Sequence, residues 1–339
     1  MIKIYDTNHN FLSLLDSCKD VYTTETLKTG LKTLSFKVSV DDKHLDIIQE
    51  ENYAETADAN YVIKEVINED NSFIQVFCGA NVERLTGFLF TVFDCFELSL
   101  KQAYEYCVAN TDWKIEYLSQ DNSIATYQMP YVYAFDMINQ IAADYEQEVW
   151  FDTKNKIVKV YDKMGSALGA YYSNELKLKE LSKQSSSYDY ATVLLPIGKD
   201  GLTIELVNNG SPYLENYSYS NKSIVRVWRN EDLDVAEKLK WAAQNYLDSI
   251  AVPRASYQLT LSELGDTVAI GDEVMIVDKI KRIKQKQRVV KIIRYPNAPE
   301  NDVVEISNLQ VDFAQMFIEN QKYLEKEVKY LRQLYESLK

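Results

Sequence analysis

Histidine is nearly absent from this sequence: 339 residues contain two, His9 and His44. Neither sits in an HExxH or related spacing, which excludes a helix-borne zinc protease centre, and both read as surface residues in polar turns. Cysteine is almost as scarce, with Cys18, Cys78, Cys95 and Cys107 scattered and no CxxC pair. That spacing supplies no half of a zinc site, and the four read as reduced core thiols. The ten glycines never form GxGxxG or GxxxxGK[ST], so no loop is built to cradle a phosphate, and Gly198-Lys199-Asp200-Gly201 reads as a turn. No GxSxG elbow occurs. No uncharged apolar run approaches the length that crosses a bilayer, and the opening MIKIYDTNHNFLSLLD lacks the basic and apolar regions of a secretory signal. The expectation is a chain made in the cytoplasm with no membrane partner, no catalytic residue, no metal site and no cofactor.

Basic charge is also in short supply. Acids outnumber bases 51 to 37, a net charge of −14, which opposes a protein whose task is to grip a phosphate backbone. Carboxylate neighbours such as Asp41-Asp42, Glu50-Glu51 and Glu231-Asp232 are what chance supplies at this acid content. Asp232 is better read as a helix N-cap. The exception is a basic run over residues 279–294, with Lys279, Lys281, Arg282, Lys284, Lys286, Arg288, Lys291 and Arg294. With no aromatic interleaved before Tyr295 to stack a base, it reads as a solvated hairpin or a surface for an acidic partner subunit. What the chain does have is tyrosine, 25 residues, a type favoured at interfaces as well as in strands.

Length alone predicts two to four domains. Leu34, Phe36, Val38 and Val40 alternate with Ser35, Lys37 and Ser39, the period of a half-buried strand, and 61–67 and 73–77 repeat the pattern across a turn at Glu69-Asp70-Asn71. Residues 1–95 therefore read as a small β-barrel, completed by part of 189–230. At Ser99, a predicted cap, the period changes to helical through Ala103, Tyr104, Cys107 and Val108. A second helix follows over 133–147, with a strand over 113–118 between them and a hairpin at 149–160. Residues 96–188 thus form an α/β insertion. Residues 189–253 hold return strands, including 191–196 and 202–207, and a helix over 232–250 stopped by Pro253. Residues 254–310 read as a second small barrel.

Residues 311–339 are the most regular stretch. Phe317, Gln321, Leu324, Val328, Leu331, Tyr335 and Leu338 recur at spacings of four and three, a heptad seam flanked by charges. Periodicity leaves two readings open, a coiled coil between copies and a helix packed on its own chain.

Ordered stretches along nearly the whole chain resemble the prophage endopeptidase tail family, the hub region of siphophage tail-associated lysins. They are Gln49-Glu-Glu-Asn-Tyr53, Tyr61-Val-Ile-Lys-Glu-Val66, Asn139-Gln-Ile-Ala142, Val149-Trp-Phe-Asp152 and Glu175-Leu-Lys-Leu-Lys-Glu-Leu181. The long run from Ser185 to Thr203, with Pro253-Arg-Ala-Ser-Tyr257, Gly271-Asp-Glu-Val274 and Arg288-Val-Val-Lys291, completes the order. The likeness extends to the short hub proteins of Listeria temperate siphophages. It implies an α+β, multidomain fold like the baseplate hub of contractile tails: two small β-barrels, an α/β insertion and a C-terminal helix. It also implies a homotrimeric ring at the virion tail tip. The ring's partners would be the distal tail protein, the tape measure protein and tip or receptor-binding proteins, with DNA passing through unbound. In a threefold ring the heptad seam gains weight as a central bundle, and carboxylates lining a channel would repel DNA phosphates. Longer members carry a wall-degrading domain after the hub, and this sequence ends at Lys339, so the family's endopeptidase activity is not expected here. A cell-wall endopeptidase and a host-surface receptor-binding protein are the competing readings.

Overall fold

The computed structural model describes residues 1–68, 72–166, 170–173, 178–187, 190–261, 268–278 and 283–307. The architecture is α+β, mostly sheet with few helices, as the sequence predicts. Two compact units are present, one built from Met1–Leu181 and Gln258–Ile306, the other containing Ser182–Tyr257.

The first unit holds a large sheet. Its antiparallel run begins with Phe11–Leu15, continues through Ile2–Tyr5, Tyr53–Glu55, Asn60–Asn68, Phe73–Ala80 and Leu31–Ser39, and reaches Lys19–Thr26. Alternation fills one face: Leu34, Phe36 and Val38 pack with Ile4, Leu15, Tyr61, Ile63, Val76 and Cys78 in one buried cluster. Ser35, read from alternation as outward, is 3% exposed instead. Its hydroxyl donates to the Val76 carbonyl and accepts from the Gln75 amide, so the burial leaves no orphan polar atom.

The 12-residue strand Ile283–Arg294 joins this sheet to the later chain. Residues 291–294 pair with Thr23–Thr26, while 283–288 pair with the strand Glu273–Asp278. Glu273–Asp278 also runs parallel to Ala170–Ser173, and Val303–Ser307 lies on the other side of Ile283–Arg294. One strand therefore carries hydrogen-bond ladders from both ends of the chain.

Between these segments sits a compact α/β body. Leu89–Ser99 and Ile124–Tyr133 form a two-stranded antiparallel ribbon, and Glu148–Asp152, Ile157–Tyr161 and Lys114–Tyr117 form a three-stranded sheet. Ser99 caps the helix Leu100–Val108 in a reciprocal box with Gln102, where the sequence places a helix start. That helix and Ala134–Asp144 bury Ala103, Tyr104, Cys107, Ile138 and Ile141 into one core with Phe93 and Phe151. Gln147, 1% exposed, accepts from the Tyr104 hydroxyl at 2.9 Å and donates to Tyr117 and Ser119, a satisfied polar network inside that core.

In the second unit, Val193–Ile197 lies between Leu214–Glu215 and Val225–Arg229, covered by the helix Ala236–Ile250 through Leu239, Ala243 and Leu247. Two expectations are corrected here. Residues 202–207 are not a strand but lead into a 3-10 turn, Glu205–Val207. Asp232 does not cap the helix, which starts at Ala236 with Val235 before it and no side-chain cap. The reason is local. The Asp232 N–H donates to the Asn230 side chain, and the Leu233 carbonyl accepts from the Lys199 N–H at 2.9 Å, so this segment is held as a turn before helical bonding begins.

Candidate functional site

The cysteines lie in or beside the cores. Cys78, Cys95 and Cys107 are buried, and burial pushes each thiol up; the same cause, with the Asp42 carboxylate second, raises half-buried Cys18 to about 11. A thiol held protonated is a poor nucleophile and a poor metal ligand. His9 stacks on Tyr53 with ring centres 4.2 Å apart, and the His44 ring lies 3.3 Å from the Ser13 hydroxyl. Among the described residues, no group of three or more His, Cys, Asp or Glu side chains is arranged to hold a metal ion.

What the first unit does assemble is a polar lock around Arg288. Its guanidinium makes two parallel bonds to Glu148, 2.7 Å to Oε1 and 2.9 Å to Oε2, and also donates to the carbonyls of Met164 and Gly271. The fork geometry of arginine suits such a bidentate contact, and the side chains are 13% and 8% exposed. Glu148 also accepts from the Met164 N–H at 2.6 Å. Asp272 works from the other side, accepting from the Ser166 N–H at 2.8 Å and from the Ala269 N–H at 2.8 Å. Together these fasten the strand Glu148–Asp152 and residues 164–166 of the α/β body to the strands Glu273–Asp278 and Ile283–Arg294. Arg288 is thus an internal residue, not the solvated or partner-facing group read from the basic run. Nothing in the sequence signals this, because its carboxylate lies 140 positions away. The Gly271-Asp272 turn into a strand was legible.

Glu273 adds an outer pair, bonded to Lys163 at 2.8 Å and to Lys286, and these hydrogen bonds draw its carboxyl down to about 2. A value below the unfolded 4.5 means these pairs contribute stability above about pH 4.5, and that contribution is lost as pH falls through about 2. The expected result is a melting-temperature difference between the wild type and Glu273→Gln that is constant near neutrality and shrinks between pH 4.5 and 2. A difference that does not change over that range would show that the carboxylate is unpaired in solution.

A second feature is the set of exposed apolar side chains on the ribbon. Phe96 is 70% and Tyr131 75% exposed, with Leu89, Val92, Met129 and Tyr133 also turned to solvent. The inward side chains Phe90, Phe93 and Cys95 belong to the core. Alternation makes this exposure legible only in part, since Leu89–Ser99 carries apolar residues on both sides. The heptad residues Phe317, Gln321, Leu324, Val328, Leu331, Tyr335 and Leu338 lie outside the described residues, as do Lys279, Lys281 and Arg282 of the basic run. Of the described helices, none is long and apolar enough to cross a membrane.

Comparison with known proteins bears on the whole chain. No curated protein sequence matches it. Among solved structures, prophage tail protein gp18 of Listeria monocytogenes superposes with a TM-score of 0.64 at 14% identity, covering 96% of this chain and 99% of that one. The prophage MuSo2 tail protein of Shewanella oneidensis gives 0.68 at 12% identity over 92% and 99%, and a tail protein of Neisseria meningitidis gives 0.62 at 7% over 92% and 98%. At such identities the likeness establishes the fold, that of prophage tail proteins, over nearly the full length of each. Two family descriptions match the sequence itself: the prophage endopeptidase tail N-terminal domain over residues 2–80 and the prophage endopeptidase tail over residues 169–317. They fall in the order expected from the sequence motifs, and together they take in most of the chain. The chain belongs to the prophage endopeptidase tail family.

Proposed function

We propose that the protein is a structural hub and adaptor of a phage or prophage tail tip, without wall-degrading activity of its own. The observation that supports this reading best is that residues 2–80 and 169–317 match a tail family while the fold runs the length of prophage tail proteins. In this reading three copies form a ring. Their N-terminal and C-terminal β regions, 1–95 and 254–310, act as paired barrel modules that meet the tail tube and the distal tail protein. The tape measure protein and the tip or receptor-binding proteins are the other neighbours, and DNA passes through the ring without being bound. The heptad residues 317–338 gather the three copies at the axis. The net charge of −14 suits a lumen that repels phosphates.

Native mass spectrometry of the full chain is the direct test. A trimer is expected, reduced to monomers by Leu324→Asp together with Leu331→Asp. A trimeric mass unchanged by both substitutions would defeat the axial bundle. The endopeptidase reading is tested by zymography on bacterial walls, where clear lysis by this chain would overturn the structural one.

A further inference from the structure

We infer that the ribbon Leu89–Ser99/Ile124–Tyr133 of one copy docks on the free edge of the strand Phe11–Leu15 of the next, and that this strand-to-strand contact closes the ring; it rests on the hub reading above.

Two strands carry the inference. Phe11–Leu15 ends its sheet, hydrogen-bonded only to Ile2–Tyr5 among the described residues. Its sequence, FLSLL, contains no charge and no proline, and Phe11, Leu12 and Leu14 are exposed. Exposed edges are ordinarily protected from pairing with another chain by charge, proline, a bulge or a cover; this edge has neither charge nor proline, and its register against Ile2–Tyr5 shifts once, where Ile4 pairs with Ser13 and Tyr5 with Phe11, so that Ser13–Leu15 is its regular part. The ribbon is the second such place. Its two strands pair only with each other among the described residues, so each has an open edge as well as exposed apolar side chains. On Ile124–Tyr133 the edge is interrupted by Pro130 and by Tyr131, whose φ is 51°. On the other strand the first five residues, LFTVF, are regular, uncharged and free of proline, which makes them the edge fit for pairing.

A second copy is the occupant these strands fit. A chain of net charge −14 repels its own copies, and acids directly opposite each other in a ladder are destabilising. Self-contact is therefore favoured where acid is missing, and residues 11–15, 89–93 and 124–133 are all uncharged in a chain that is 26% charged. A closed ring also needs two different patches that meet head to tail, and the first unit displays two.

The test places the photoreactive residue benzoylphenylalanine at position 96 or 92 in the full chain, using a mixture of isotopically heavy and light copies. The expected product is a covalent heavy–light dimer whose adduct maps to the peptide containing Phe11–Leu15. Leu12→Lys is expected to lower its yield about 10-fold, the size of effect that a central contact residue has. Circular dichroism of Leu12→Lys checks that the chain still folds, and Ser13→Lys on the same edge gives an independent repeat. An oligomeric chain whose adducts map elsewhere, or to no second copy, overturns this contact and leaves the ring standing. A chain that stays monomeric both in solution and in assembled tails overturns the ring and this contact together. Adducts from position 96 to a different tail subunit identify the ribbon as that subunit's site and overturn the self-contact.

Discussion

Arg288→Ala is expected to destabilise the first unit by about 3–5 kcal/mol, the cost of leaving the partner of a buried ion pair alone. The mechanism is specific. With the guanidinium gone, Glu148 keeps the Met164 N–H but loses two charge-assisted bonds, and the Met164 and Gly271 carbonyls lose a shared donor. The carboxylate is left buried, since Glu148 is only 7% exposed. Urea unfolding of the full chain reads the loss. The double change Glu148→Gln with Arg288→Met removes both charges and is expected to recover much of it, since neutral replacement of a buried pair costs far less than its rupture. A single-mutant loss below about 1 kcal/mol would show that the pair is screened by solvent like a surface bridge.

Gly30→Ala is expected to cost about as much, for a reason independent of charge. Gly30 has φ +62°, and a Cβ built there would stand 2.1 Å from the Val149 carbonyl oxygen, inside any tolerable contact. The neighbouring atoms are backbone and cannot swing away. The approach itself is used, because the Phe151 N–H donates to the Gly30 carbonyl at 2.9 Å, joining the turn after Lys19–Thr26 to the α/β body. A displacement there loses this bond and opens the contact around it, so a loss of about 3–4 kcal/mol is expected. Gly210→Ala is the control. It shares a positive φ of 82° but has open space around it, so only the backbone strain of about 1–2 kcal/mol should appear. Equal losses at the two sites would mean that the close approach to Val149 is absent.

Neither the ion pair of Arg288 nor the close approach at Gly30 is legible in the sequence. The strands over 34–40, 61–67 and 73–77, the Ser99 cap with the helix it opens, the helix over 133–147 and the hairpin at 149–160 follow from period, capping and turn chemistry, all of which are local. Asp232 fails as a cap because Asn230 and Lys199 take the backbone groups first, a competition decided in part by the distant turn that contains Lys199. Ser35 failed as an outward residue because alternation reports which face a side chain takes, not whether both faces are covered. Arg288 looked like one member of a solvated basic run because charge in sequence carries no information about a carboxylate 140 positions off.

The lack of a histidine, cysteine or glycine constellation for catalysis, the α+β class, the local elements and the ordered family motifs were all determined by the sequence alone, because each depends on residue type and short-range spacing. Tertiary structure alone decided that Glu148 and Arg288 meet, that Gly30 must have no side chain, and that Phe11–Leu15 and the ribbon have open edges among the described residues. Those facts depend on which distant segments share a neighbourhood, and burial, desolvation and strand pairing act on neighbours in space rather than in sequence.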